Sequence, residues 1–295
     1  SRPIAQGDGL TLIREALAKP GADAVGCSRE QGRAGDFMPD AATGLMRYKD
    51  FLDCLTREAQ QAERFTLALV RLDGPDPEES RKSDSRNVSG RADQNAAKAA
   101  ELARHVFGPQ AMGGRFSLHG LIYFHPGMGG EQAKSLHLEF QTRARHELGL
   151  ETVSGLAAHP YLNFNRSDVL ENCRKALEYA LLLPELRVGL FDTLALNISA
   201  DKSFSQGDLY AAMEEYKLAL LAGPDNTMAH NSLGVCLARL GEPAKAKRHF
   251  LKALEVDSTD VRTLYNLGFV CWQLGEAKDA AAAFRRCLKR SPGHV

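Results

Sequence analysis

Excess charge is missing from this chain: 37 Lys and Arg balance 37 Asp and Glu across 295 residues. No global field therefore draws it to nucleic acid or to an acidic membrane, and any partner must be recognised locally. No apolar run approaches the roughly 18 residues that cross a bilayer, and no charged-then-apolar leader opens the sequence. Metal-site spacing is missing too. The six cysteines, Cys27, Cys54, Cys173, Cys236, Cys271 and Cys287, form no CxxC pair, and the nine histidines stand singly with no H-E-x-x-H. The thiols read as small buried side chains in a reducing compartment. The expectation is a cytoplasmic protein with no metal, no cofactor, no nucleic-acid partner and no membrane insertion. A chain that starts at Ser1 is also expected to be a piece of a longer one. At 295 residues it is long enough for about two domains, each with its own core.

What is present is a repeat. Gly207, Gly241 and Gly275 fall 34 residues apart, as do Ala212, Ala246 and Ala280, then Tyr216, Phe250 and Phe284, then Leu220, Leu254 and Leu288. Within each period small residues stand where two helices must approach closely, and the glycine falls in the turn between them. With the pairs Leu233-Gly234 and Leu267-Gly268, and with Pro224 and Pro292 closing their periods, this pattern resembles the tetratricopeptide repeat (TPR), a helix–turn–helix unit of about 34 residues. Ser258 departs from the closing proline. The resemblance implies stacked helix pairs that present a concave groove to a protein or peptide partner and carry no chemistry of their own.

Upstream, GLTLIREALAK (residues 9–19) has helical apolar spacing, and 1–39 reads as a short helix and linker. RYKDFLDCLTREAQQAERF predicts a helix and FTLALVRLDG a buried strand. PDPEESRKSDSRNVSGRADQ (75–94), with Val88 as its single strongly apolar side chain, predicts a mobile loop. A helix (NAAKAAELARHVF), a strand pair (GRFSLHGLIYFHP), a helix (GEQAKSLHLEFQTRARHELG), a strand (ETVSGLAAHP), a helix (RSDVLENCRKALEYALLL) and a strand (RVGLFD) follow. Interleaved strands and helices call for one sheet covered by helices.

That order is nucleotide-cyclase-like, and particular residues sharpen the comparison. DAATGLMRYKDFL (Asp40–Leu52), LALVRLDG, TVSGLAAHP and ALEYALLLPELRVGLFD resemble, in order, landmarks of GGDEF domains, the diguanylate cyclases of bacteria. The resemblance spans roughly residues 40–195 and implies a site where carboxylates hold divalent cations and a glycine turn admits phosphate. The residues depart from it. With IYFHP taken as the second hairpin strand, the signature positions become Ser117, Leu118, His119, Gly120 and Leu121; with the frame moved to Gly113-Gly114, Arg115 and Phe116 stand where the acids belong. On the metal strand Arg71 replaces the first acid and Asp73 remains. A fixed cation there repels magnesium. The family's product site, an R-x-x-D, becomes Gly108–Ala111 in the first frame and Arg104 with Phe107 in the second. The expectation is a domain that makes no product and binds no nucleotide. The alternative is a GTP or cyclic di-GMP sensor, or residual cyclase activity, at this degenerate nucleotide site.

In the last full repeat Leu264, Leu267, Cys271 and Leu274 form a stacking face, while Tyr265, Phe269 and Trp272 make a second stripe at i, i+4, i+7 beside Arg262. Met228, Asn231 and Val235 occupy equivalent places one repeat earlier. These seven residues are the candidate partner groove, with Arg262 placed to read a carboxylate; against that stands burial of the same rings within the chain. The clamp that binds chaperone tails in some of these repeats is poorly reproduced by Asn197, Ser232 and Asn266, so such tails are not expected as ligands. The chain is thus expected to be α/β plus all-α. A linker over 1–39 precedes a degenerate GGDEF-like domain over 40–195 and about three repeats forming a helical solenoid over 196–295. It would act as a non-catalytic scaffold or signalling adaptor.

Overall fold

The structure, a computed structural model, describes residues 39–72, 85–185 and 187–292. The helix expected over 9–19, Cys27 and Asp73 lie outside the described residues. The chain divides into two compact units between Phe191 and Asp192.

The first unit is a five-stranded sheet in the order β2-β3-β1-β4-β5. Helix α1 (Tyr48–Gln61) leads into β1 (Phe65–Leu72), α2 (Ser85–Phe107), the hairpin β2 (Met112–Ser117) and β3 (Gly120–Pro126), α3 (Gly130–Leu148), β4 (Thr152–His159), α4 (Val169–Ala180) and β5 (Val188–Leu190). Strand β1 pairs antiparallel with β3 and with β4, and β5 runs parallel to β4. Central β1 is buried at every position but Arg71, because helices cover both faces and its side chains alternate between them. Ala68, Val70 and Leu72 meet Ala96, Ala99 and Ala103 of α2 and Phe140 of α3 in one core. On the other face α4 approaches so closely that a Cβ at Gly155 would stand 2.3 Å from the Leu177 backbone nitrogen.

One expectation fails here. Residues 85–94, expected as loop, are the first turns of α2. Ala92 is buried, and Asp93 takes an ion pair at 2.8 Å from Arg115 on β2. These tertiary contacts hold a polar stretch helical where its composition alone does not.

The second unit is three helix pairs: α5 (Thr193–Ser205) with α6 (Leu209–Ala222), α7 (Thr227–Arg239) with α8 (Pro243–Val256), and α9 (Val261–Gln273) with α10 (Ala277–Arg290). Each turn glycine has positive φ, +86° at Gly207 and +77° at Gly241 and Gly275, a conformation that side chains disfavour. Asp192, Asn226 and Asp260, again 34 residues apart, accept hydrogen bonds from the first backbone amides of α5, α7 and α9. At the Leu-Gly pairs, a Cβ on Gly234 or Gly268 would come 2.6 Å from the ring of Phe250 or Phe284, so the repeated aromatic of each second helix seats directly on the first. Among the described residues no helix is long and apolar enough to cross a membrane.

Candidate functional sites

Two surfaces carry the residues singled out from sequence. The first is the tip of the β2–β3 hairpin. Strand register sets Arg71 of β1 opposite Gly120, and the turn is made by Leu118 and His119, whose carbonyl accepts a 2.8 Å bond from the Leu72 amide. Ser117, Leu118, His119, Gly120 and Leu121 therefore lie together with Arg71 around a pocket of about 380 Å³, closed on its apolar side by Leu69 and Leu177. Among the described residues no carboxylate lines it. The pocket offers a divalent ion one guanidinium and one imidazole where acids would be needed.

The glycines of the alternative frame, Gly113-Gly114, lie apart from this turn. Both glycines lie inside β2, and a Cβ on Gly113 or Gly114 would stand 2.7 Å from the ring of Tyr123 or Phe51. They serve packing, away from the turn. Arg115 is spent on Asp93 and, at 3.5 Å, on Asp40. Burial alone would raise the Asp40 carboxyl, but hydrogen bonds from Thr43 and the charge of Arg115 outweigh it and hold the pKa below its ordinary value. Arg104 donates to the Thr43 carbonyl at 2.7 Å. Both cations thus fasten the segment that leads into α1.

The second surface lies on the first helices of the repeats. Leu264, Leu267 and Cys271 are buried. Tyr265, Phe269 and Trp272 stand out on the opposite side, Trp272 exposed at 65%. The rings of Phe269 and Trp272 are 5.9 Å apart, and Tyr265 meets Phe284 edge-on at 5.8 Å. Arg262 is exposed, with Asp260 as its neighbour at 3.7 Å, and Met228 is exposed on α7. Asn231 is already engaged: its Oδ1 accepts from Thr263 Oγ1 at 3.1 Å and from Asn266 Nδ2 at 2.9 Å. Val235 and Phe269 border a pocket of about 340 Å³ between α7 and α9, together with Ala238, Arg239, Asn266 and Gln273. Sequence reasoning missed Arg239, whose guanidinium is held 4.8 Å over the Phe204 ring. Its signal was available, because Arg239 lies four residues beyond Val235 on the same helix.

Histidines separated in sequence meet in the fold. His125 and His137 pair in the core of the first unit, and His230 and His249 pair in the second. The ligand atoms of Cys271, Glu276 and Asp279 also converge within 4.8 Å. Lys247 already supplies the cation there, 2.5 Å from Glu276 and 3.3 Å from Asp279.

Residues 224–292 match the tetratricopeptide repeat family. The chain therefore carries TPR repeats, preceded by a mixed α/β unit. A curated relative, the human protein O-mannosyl-transferase TMTC3, is 33% identical over 118 residues, which is 40% of this chain and 12% of that protein. A peroxisomal targeting signal receptor of Candida albicans is 36% identical over 92 residues, 29% of this chain and 16% of the receptor. The chain thus spans a small fraction of the curated relatives it matches. Among solved structures, the GGDEF domain of DgcB from Caulobacter crescentus in complex with c-di-GMP aligns with a TM-score of 0.44 and 19% identity, over 52% of this chain and 96% of that one. The second TPR of Spaghetti (RPAP3) bound to an HSP90 peptide aligns with a TM-score of 0.33 and 16% identity, over 34% of this chain and 93% of that one.

Proposed function

We propose that the protein is a non-catalytic adaptor that captures a protein or peptide segment on the first helices of its repeats. The observation that carries this reading is the row Tyr265, Phe269 and Trp272, three large rings left in solvent on one helix face next to an apolar pocket. Stacking of the repeats accounts for the buried leucines and leaves one side of each of these rings exposed to solvent; aromatic side chains with one wet side are characteristic anchors of interfaces. Arg262 and Arg239 flank the row and would read acidic groups on the partner.

In the α/β unit the hairpin pocket holds Arg71 and His119 and, among the described residues, no carboxylate, which supports a role without metal-assisted phosphoryl chemistry. A retained anion site is the second reading, favoured by that same arginine in a pocket of about 380 Å³. Calorimetric titration with GTP plus magnesium, and separately with cyclic di-GMP, distinguishes the two: the adaptor reading expects no heat from either. For the groove, a peptide selected on the wild-type chain should lose binding to a Y265A/W272A double variant whose thermal unfolding is unchanged. Retained binding by that variant would remove the groove from the account.

A further inference from the structure

We propose that His230 and His249 form a two-histidine chelate for a borderline divalent transition ion of the Zn²⁺ class, bound through the two Nδ1 atoms and completed by water. The two residues sit on α7 and α8, the paired helices of one repeat, with their Nδ1 atoms 3.1 Å apart and their rings 5.3 Å apart. A carbonyl can only accept, so the 2.9 Å contact between His230 Nε2 and the Pro224 oxygen fixes the proton of a neutral His230 on Nε2. Its Nδ1 then carries the free lone pair. An imidazole whose other nitrogen donates to a backbone carbonyl is the arrangement that orients metal-bound histidines.

The spacing fits. Two nitrogens at about 2.0–2.1 Å from a tetrahedral zinc stand about 3.3–3.4 Å apart, so the pair has to open by a few tenths of an ångström and each ring has to turn by roughly 35° to aim its lone pair at the ion instead of at the other ring. In the metal-free protein His249 must donate its Nδ1–H to His230. On binding it moves that proton to its own Nε2, both rings stay neutral, two lone pairs go to the metal and no proton is released. Asp225 and Glu255 contribute negative charge beside His230, against the positive charge of Lys252.

The other histidine pair does not offer this. His125 and His137 are more deeply buried, at 1% and 0% exposed against 6% for His230.

The test is calorimetric titration of the tag-free full chain with ZnCl₂ after chelator treatment, with thermal unfolding followed in parallel. The expected result is one saturable site, a rise in unfolding temperature with zinc, and weakening by about tenfold or more in His249→Gln. Long-range proton–nitrogen spectra of the wild-type chain should show both Nδ1 resonances shifting together as zinc is added, a readout that holds even if the variant folds poorly. Zinc affinity unchanged in His249→Gln, or zinc shifts confined to other histidines, would overturn the proposal.

Discussion

His125 and His137 face each other inside the α/β unit with their Nε2 atoms 3.1 Å apart, and His137 Nδ1 lies 3.1 Å from Ser154 Oγ. The ring of Phe107 stacks on His137 at 4.4 Å. Burial pushes His125 down to about 4, and burial with the neighbouring His125 holds His137 well below its ordinary value. Both rings are therefore neutral in the folded chain.

Acid sensitivity is the consequence. In the unfolded chain these histidines titrate near 6.5. Below that pH the unfolded state binds more protons than the folded one, so stability present above about pH 6.5 is lost as pH falls toward 4. The loss from His125 is on the order of 3 kcal/mol by pH 4. Thermal unfolding measured from pH 7.5 to 5 should show the α/β transition moving to lower temperature with acid. A His137→Phe variant should reduce that slope; an identical slope would place the acid response elsewhere.

Close approach at two glycines predicts a graded cost. A methyl on Gly114 meets the base of the buried Phe51 side chain at 2.7 Å, whereas one on Gly155 meets backbone of α4 at 2.3 Å. Gly114→Ala is expected to cost about 1–3 kcal/mol by overpacking, and Gly155→Ala more, because a helix backbone cannot rotate away. Denaturant unfolding of both variants checks the order.

The ion pair of Asp93 with Arg115 predicts protection of the start of α2. Side-chain exposures of 45% and 11% put the pair at a partly covered site, so Asp93→Ala should cost about 1 kcal/mol or less. Hydrogen exchange over residues 89–94 should nonetheless be slower in the wild type than in the variant. Equal, loop-like exchange in both would contradict helical structure there.

Much of the fold could be read from the sequence because both units leave local marks. The 34-residue register names the close-packed positions directly, and the seats of Phe250 on Gly234 and Phe284 on Gly268 are what those small residues are for. The caps Asp192, Asn226 and Asp260 follow the same 34-residue period, although the sequence reading did not single them out. Residues 85–94 were not, since Ala92 and Asp93 are ordered by partners distant in sequence. The histidine pairs join residues 12 and 19 positions apart on different elements, a meeting that no spacing rule encodes. At the hairpin, sequence left two frames open, and the packing of Phe51 and Tyr123 against Gly114 and Gly113 was not legible in it, because Phe51 is distant in sequence.

Trp272 is the single tryptophan of the chain and is 65% exposed, so its fluorescence reports on the proposed groove alone. The most direct measurement is iodide quenching of Trp272 while a peptide selected on the wild-type chain is titrated in, with calorimetry on the Y265A/W272A variant alongside. The account predicts an indole open to quencher in the free protein, protection that saturates with peptide, and no heat from the variant. Peptide binding that leaves Trp272 quenching unchanged and persists in the variant would contradict it.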